Sequence, residues 1–183
     1  MGCANLFGVM NIILFGHKGC GKTYVGKRLS DVLGWTFYDT DQLIEDLYRQ
    51  QTGKELSFRM IYQSEGADFF RQLERQVVGS LQKVDKAIIA VGGGTILDEY
   101  SRNVLVNLGT LVFLNTEKEL VRQRLLTEPS LPAYMDKQEF QKIFQQIYDD
   151  RQPLYHALHE YEVKIDPKTE HDVENRILAI LGL

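Results

Sequence analysis

Short, wholly apolar runs alternate with amphipathic stretches along this chain. Asn11–Phe15 (NIILF), Ala87–Val91 (AIIAV) and Leu111–Leu114 (LVFL) are continuous apolar runs of the kind that form strands buried on both faces. Thr36–Tyr38 and Tyr161–Ile165 predict two more short strands. Between them, Lys22–Leu33 carries Tyr24, Val25, Leu29, Val32 and Leu33 at helical spacing and ends at Gly34. Further helices are predicted over Gln42–Gln51, Ser57–Gln63, Asp68–Leu81, Asp98–Leu108, Glu117–Leu126, Gln138–Asp149 and Glu170–Leu181. Residues 127–137 hold Pro129 and Pro132 and break the pattern, so a loop is expected there.

Strands that alternate with helices predict an α/β fold, with a doubly wound parallel sheet covered on both faces. In such folds ligands lie beyond the carboxyl ends of the strands. The chain's unusual segments sit at those ends: Gly16–Thr23, Asp39–Asp41 and Gly92–Gly94.

The first of them, GHKGCGKT, satisfies G-x-x-x-x-G-K-[ST] between a predicted strand and a predicted helix. Its glycines let successive backbone N–H groups face a phosphate, and the following helix aims its positive end at the same place. Gly19, Cys20, Gly21, Lys22, Thr23 and Tyr24 are therefore candidate nucleotide contacts. Lys22 would reach the β- and γ-phosphates and the Thr23 hydroxyl would ligate Mg²⁺. His17 and Lys18 read as variable loop positions without a role, and Cys20 as a small residue rather than a reactive thiol. Asp39 and Asp41, two apart at a strand end, can divide between the metal and the acceptor hydroxyl. The bland reading of Asp41 is a cap on the helix that starts at Gln42.

The formal charge of −4 gives no basic footprint for nucleic acid. The 183 residues suit a single unit with a core of its own. Two cysteines, Cys3 and Cys20, make neither a disulfide framework nor a zinc spacing, which favours a reducing cytoplasm. No apolar run approaches a membrane span. Residues 1–10 lack the features of a signal peptide and are expected to be dispensable to the fold, with Met10 a possible alternative start.

Taken together the motifs resemble the shikimate kinase family, in the family's order and over nearly the whole chain after Met10. GHKGCGKTYVGKRL resembles its phosphate loop, FYDTD its aspartate pair, EGADFFRQLE its arginine-bearing helix, AVGGGT its glycine triplet and DRQPLY its second arginine segment. The resemblance implies a five-stranded parallel sheet in the order 2-3-1-4-5, of the P-loop nucleoside-monophosphate-kinase type. It also implies a helical substrate-binding segment over 39–66 and a mobile lid over 127–137. It implies ATP and Mg²⁺ as cofactors, shikimate as acceptor and a monomer. By the same token Asp39 lies near the metal and Asp41 at the shikimate hydroxyls, while Arg71 and Arg151 hold the carboxylate. Gly92, Gly93 and Gly94 close on the substrate and Arg124 contacts the nucleotide. Glu74 is left to orient an arginine or the metal's surroundings.

The chain departs from the family in the lid, where the family has an arginine before a proline and this chain has Leu131-Pro132. Either another cation serves (Arg124 first, Lys137 second), or turnover is low, or the register of the lid is shifted. Two rival readings follow: another small-metabolite kinase, such as a gluconate-type kinase, and a catalytically weak regulatory relative.

Overall fold

A computed structural model describes residues 11–127 and 139–183. The expected lid, with Pro129, Leu131, Pro132 and Lys137, and the expected N-terminal extension 1–10 lie outside the described residues apart from Thr127.

Five strands form one all-parallel sheet. They are β1 (Asn11–Phe15), β2 (Thr36–Asp39), β3 (Ala87–Ala90), β4 (Thr110–Thr116) and β5 (Tyr161–Ile165), in the order β2-β3-β1-β4-β5. This is the architecture expected. Strand side chains alternate between faces. Ile12, Leu14, Ile88, Val112, Leu114 and Val163 therefore enter one core and Ile13, Phe15, Ile89, Leu111 and Phe113 the other. Two buried faces explain why these strands read as continuous apolar runs.

The first core is closed by α1 (Lys22–Leu33), α6 (Lys118–Thr127), the N-terminal half of α7 (Phe140–Leu158) and α8 (Val173–Leu181). The second is closed by α4 (Ala67–Ser80), α5 (Glu99–Leu108) and Tyr155 of α7. A third cluster (Ile44, Tyr48, Ile61, Phe70, Leu73 and Val77) joins α2 (Thr40–Thr52) and α3 (Phe58–Glu65) to α4. It stands beside the sheet and carries one wall of the acceptor cavity.

Four expectations need correction. The helix expected to stop at Asp149 runs on to Leu158 with Pro153 inside it. Proline costs that helix a backbone bond, but Tyr148 and Tyr155 are buried on either side of it and hold the segment in register. Strand β4 reaches Thr116 because β5 pairs alongside it as far as Thr116–Ile165. The last helix begins at Val173 rather than Glu170, since Asp166 accepts the backbone N–H groups of Lys168 and Thr169 and ties the preceding residues into a turn. On α1 the buried stripe is Val25, Gly26 and Leu29, whereas Tyr24 and Val32 are 61% and 64% exposed.

Candidate active site

The loop after β1 wraps the start of α1. Gly16, Gly19 and Gly21 all have positive φ, a backbone that residues with a Cβ rarely adopt. Gly21 stands at the N-terminus of α1 with no side-chain cap, so the first-turn N–H groups and the helix dipole are available to an anion. The Lys22 ammonium donates to the carbonyls of Gly16 (3.1 Å) and His17 (2.9 Å), folding along the inside of the loop. Cys20 is buried beneath it, in keeping with a small packing residue.

At the end of β2, Asp39 does two things. Its Oδ1 accepts the Asp41 N–H at 3.0 Å and caps α2, and its Oδ2 accepts the Thr23 hydroxyl at 2.7 Å. The cap is thus Asp39, not Asp41, and the Asp41 carboxylate is left to face the site. Burial pushes Asp41 up to about 6, helped by the neighbouring carboxylate of Asp39 and opposed by Lys18 and Lys22.

A cavity of about 300 Å³ lies over the loop, lined by Gly19, Gly21, Lys22, Thr23, Asp39 and Arg124 among others. Beside it is a second, of about 220 Å³, walled by Phe58, Tyr62 and Phe70 with Arg71, Glu74 and Arg151 at its polar end. Lys18, Asp41, Gly92 and Gly93 line both. Residues from seven separate segments meet here.

The arginine end of the second cavity is built from the inside out. Glu74 is buried, and it accepts the Thr95 hydroxyl at 2.7 Å and an N–H of Arg71. That bond fixes one edge of the Arg71 guanidinium. The glycine triplet packs closely against this cluster. A Cβ at Gly94 would lie 2.5 Å from Arg71 Nη2, one at Gly93 would lie 3.4 Å from Arg151 Nη1, and one at Gly92 would lie 3.0 Å from Asp41 Oδ1. The Tyr155 hydroxyl donates to the Gly93 carbonyl from α7, the helix that also carries Arg151. Arg124 bridges outward, donating to the Gly19 carbonyl (3.3 Å) and pairing with Glu170 at 2.5 Å. Tyr24 lies at the outer rim of the loop, near Arg124.

The sequence reading gave His17 no role, but the structure buries it. Its ring stacks on Tyr148 with centroids 4.1 Å apart, meets Tyr155 edge-on at 4.8 Å and bonds Gln152 through Nε2 at 2.9 Å. Burial pulls it down to about 4, with Lys22, Arg151 and Lys118 adding to the effect and the Gln152 bond opposing it. Nothing local in GHKG marks this histidine, because its partners lie more than 130 residues away. Lys18, Thr95 and Tyr155 stand inside quoted motifs yet were given no role, and Phe58 and Tyr62 lie outside the motifs; their places in the site come from the fold.

The oxygen pair at Thr23 and Asp39 suits a hard cation that keeps phosphate and water as its other ligands. A Mg²⁺ fits that donor set. Among the described residues no helix is long and apolar enough to cross a membrane.

Comparison with known proteins agrees with this geometry. A shikimate kinase from Tolumonas auensis is 33% identical over 173 residues, covering 94% of this chain and 97% of its own. One from Syntrophus aciditrophicus is 32% identical over 92% of this chain and 89% of its own. The solved structure of shikimate kinase from Acinetobacter baumannii in complex with shikimate is 29% identical, with a TM-score of 0.83 over 94% of this chain and 93% of that one. A gluconokinase from Sinorhizobium meliloti, at 17% identity and a TM-score of 0.57, shares the fold. The shikimate kinase family profile matches residues 18–181, and the chain belongs to that family.

Proposed function

We propose that this protein transfers the γ-phosphoryl group of ATP to the 3-hydroxyl of shikimate, as a cytoplasmic monomer. The observation that carries the reading is the pairing of a phosphate cavity with an acceptor cavity lined by two arginines, with Asp41 lining both. A planar carboxylate is best held by guanidinium groups, and hydroxyls by a carboxylate acceptor. Shikimate carries both kinds of group on one ring, and the cavity's aromatic walls suit that ring.

In this reading the loop amides and Lys22 neutralise charge on the β- and γ-phosphates, and Arg124 and Tyr24 flank the nucleotide from outside. Thr23 and Asp39 would hold a Mg²⁺, which would supply charge neutralisation for the phosphates. Arg71 and Arg151 grip the shikimate carboxylate. Glu74 orients Arg71 and has no part in the metal site. Asp41 accepts the hydrogen bond of the 3-hydroxyl and aligns that oxygen with the γ-phosphorus. The amides of Gly92 to Gly94 approach the ring without side chains in the way. Catalysis is then positioning and electrostatics. The segments 39–66 and 127–137 serve as acceptor-binding segment and lid, closing to keep water from competing as acceptor.

A coupled assay of ADP release, with and without shikimate, tests the reading. Shikimate-dependent ADP release with formation of shikimate 3-phosphate is expected. Turnover with gluconate in place of shikimate, or none with either, sinks it.

A further inference from the structure

The two cavities share four residues, and the phosphoryl group must cross that shared seam to pass from nucleotide to acceptor. Gly92 and Gly93 offer only backbone there, and Asp41 is an anion. Among the described residues, Lys18 is the one cation lining both cavities; Arg71 and Arg151 line only the acceptor side, and Lys22 and Arg124 only the phosphate side. We propose that the Lys18 ammonium contacts the phosphoryl group in transit and is a catalytic residue of this kinase.

Three observations support it. The Lys18 backbone lies against the glycine triplet, its nitrogen 3.5 Å from where a Gly93 Cβ would be. Its side chain reaches across the seam, with Nζ 5.2 Å from the centre of the Phe58 ring on α3. A cation over a ring face is steadied without losing its charge to a carboxylate, and among the described residues no salt bridge ties Lys18 to an acid. Lys22, by contrast, has its ammonium bonded to two loop carbonyls. Asp41, which aligns the acceptor, lines the same two cavities as Lys18.

The chemistry fits that position. As the bond between the acceptor oxygen and phosphorus forms, the bond from phosphorus to the ADP oxygen breaks, and the hydroxyl proton leaves toward Asp41. Negative charge spreads over the three equatorial oxygens in between. A fixed cation at the seam stabilises that state more than either ground state, and Lys18 gives up no proton in doing so.

The inference rests on the shikimate reading, and one set of measurements separates their failures. The parent protein, Lys18→Met, Lys18→Gln and Lys18→Arg are compared by steady-state kinetics in ATP and shikimate, with thermal melting as the control for folding. Removing the charge should lower kcat ~100-fold. KM for either substrate should stay within about threefold, the pattern of an interaction made only in the transition state. Lys18→Arg should recover most of the loss, which a packing role would not produce. A parent without shikimate-dependent turnover overturns both readings. An active parent overturns the Lys18 inference alone if Lys18→Met keeps its kcat, if the loss falls only on the KM for shikimate, or if Lys18→Arg is no better than Lys18→Met. Should Lys18→Met and Lys18→Gln fail to melt cooperatively, the Lys18→Arg kinetics decide: kcat near the parent's is required.

Discussion

The phosphate loop and the acceptor cavity differ in how they are made. The loop is one run of eight residues, shaped by glycines at positive φ and closed by bonds within itself. The acceptor cavity has no such run. Its Arg71 is set by Glu74, Glu74 by Thr95, Gly93 by Tyr155, and its apolar walls come from α3, α4 and α7. A site made of backbone is local and survives as a motif. A site made of side-chain contacts depends on the whole fold and leaves scattered residues in the sequence.

The largest test removes chemistry from the loop and leaves its shape. Lys22→Met should lower kcat by ~1,000-fold or more, with the melting temperature unchanged. Near-normal turnover would take Lys22 out of the phosphate contact.

The next probes the joint between the two regions, where His17 of the loop is clasped by Tyr148, Gln152 and Tyr155 of α7. Its folded value of about 4 lies below the ordinary 6.5, so the unfolded chain takes the proton first. This residue's contribution to stability is therefore complete above about pH 6.5 and is lost as the pH falls toward 4. Unfolding free energies of the parent and His17→Phe, measured from pH 7 to pH 4, should differ in slope by an amount on the order of 3 kcal/mol over that range. Parallel curves would mean that His17 keeps the same affinity for a proton in the folded and the unfolded chain.

Within the acceptor cavity, Gly94→Ala places a methyl against the Arg71 guanidinium. It should raise the KM for shikimate ~30-fold and leave that for ATP nearly unchanged. Equal losses in both would show that the two regions are less separate than their construction suggests. The smallest effect is expected from Tyr155→Phe, which removes one hydrogen bond to the glycine triplet. A stability loss of about 1 kcal/mol and a rise of a few fold in the KM for shikimate should accompany it. No change in either would leave Gly93 held by packing alone.

The same division explains what the sequence disclosed. The parallel sheet was legible because three wholly apolar runs alternate with helical stretches, though its strand order came from the resemblance, and the loop because its residues are contiguous. Arg71 and Arg151 carried no signal of their own and came from the resemblance. The course of α7 past Pro153 was illegible, since a proline argues for a helix end and only the burial of Tyr155 against the second core overrules it. His17 and Lys18 look alike in the sequence as two residues between glycines. One turns inward under aromatic rings and the other outward over Phe58, which only the fold decides.

The charged lining of the acceptor cavity also bears on which molecules stay in it. Lys18, Arg71 and Arg151 face Asp41 and Glu74, three cations against two carboxylates. A ligand with a single negative charge brings the enclosure to neutrality. An uncharged polyol leaves it positive, and the phosphorylated product, with about two further negative charges, drives it well past neutral. The chamber is thus self-balancing for an acid that enters and unbalanced by the ester that it makes, so departure of the product is written into the same five side chains that welcome the substrate.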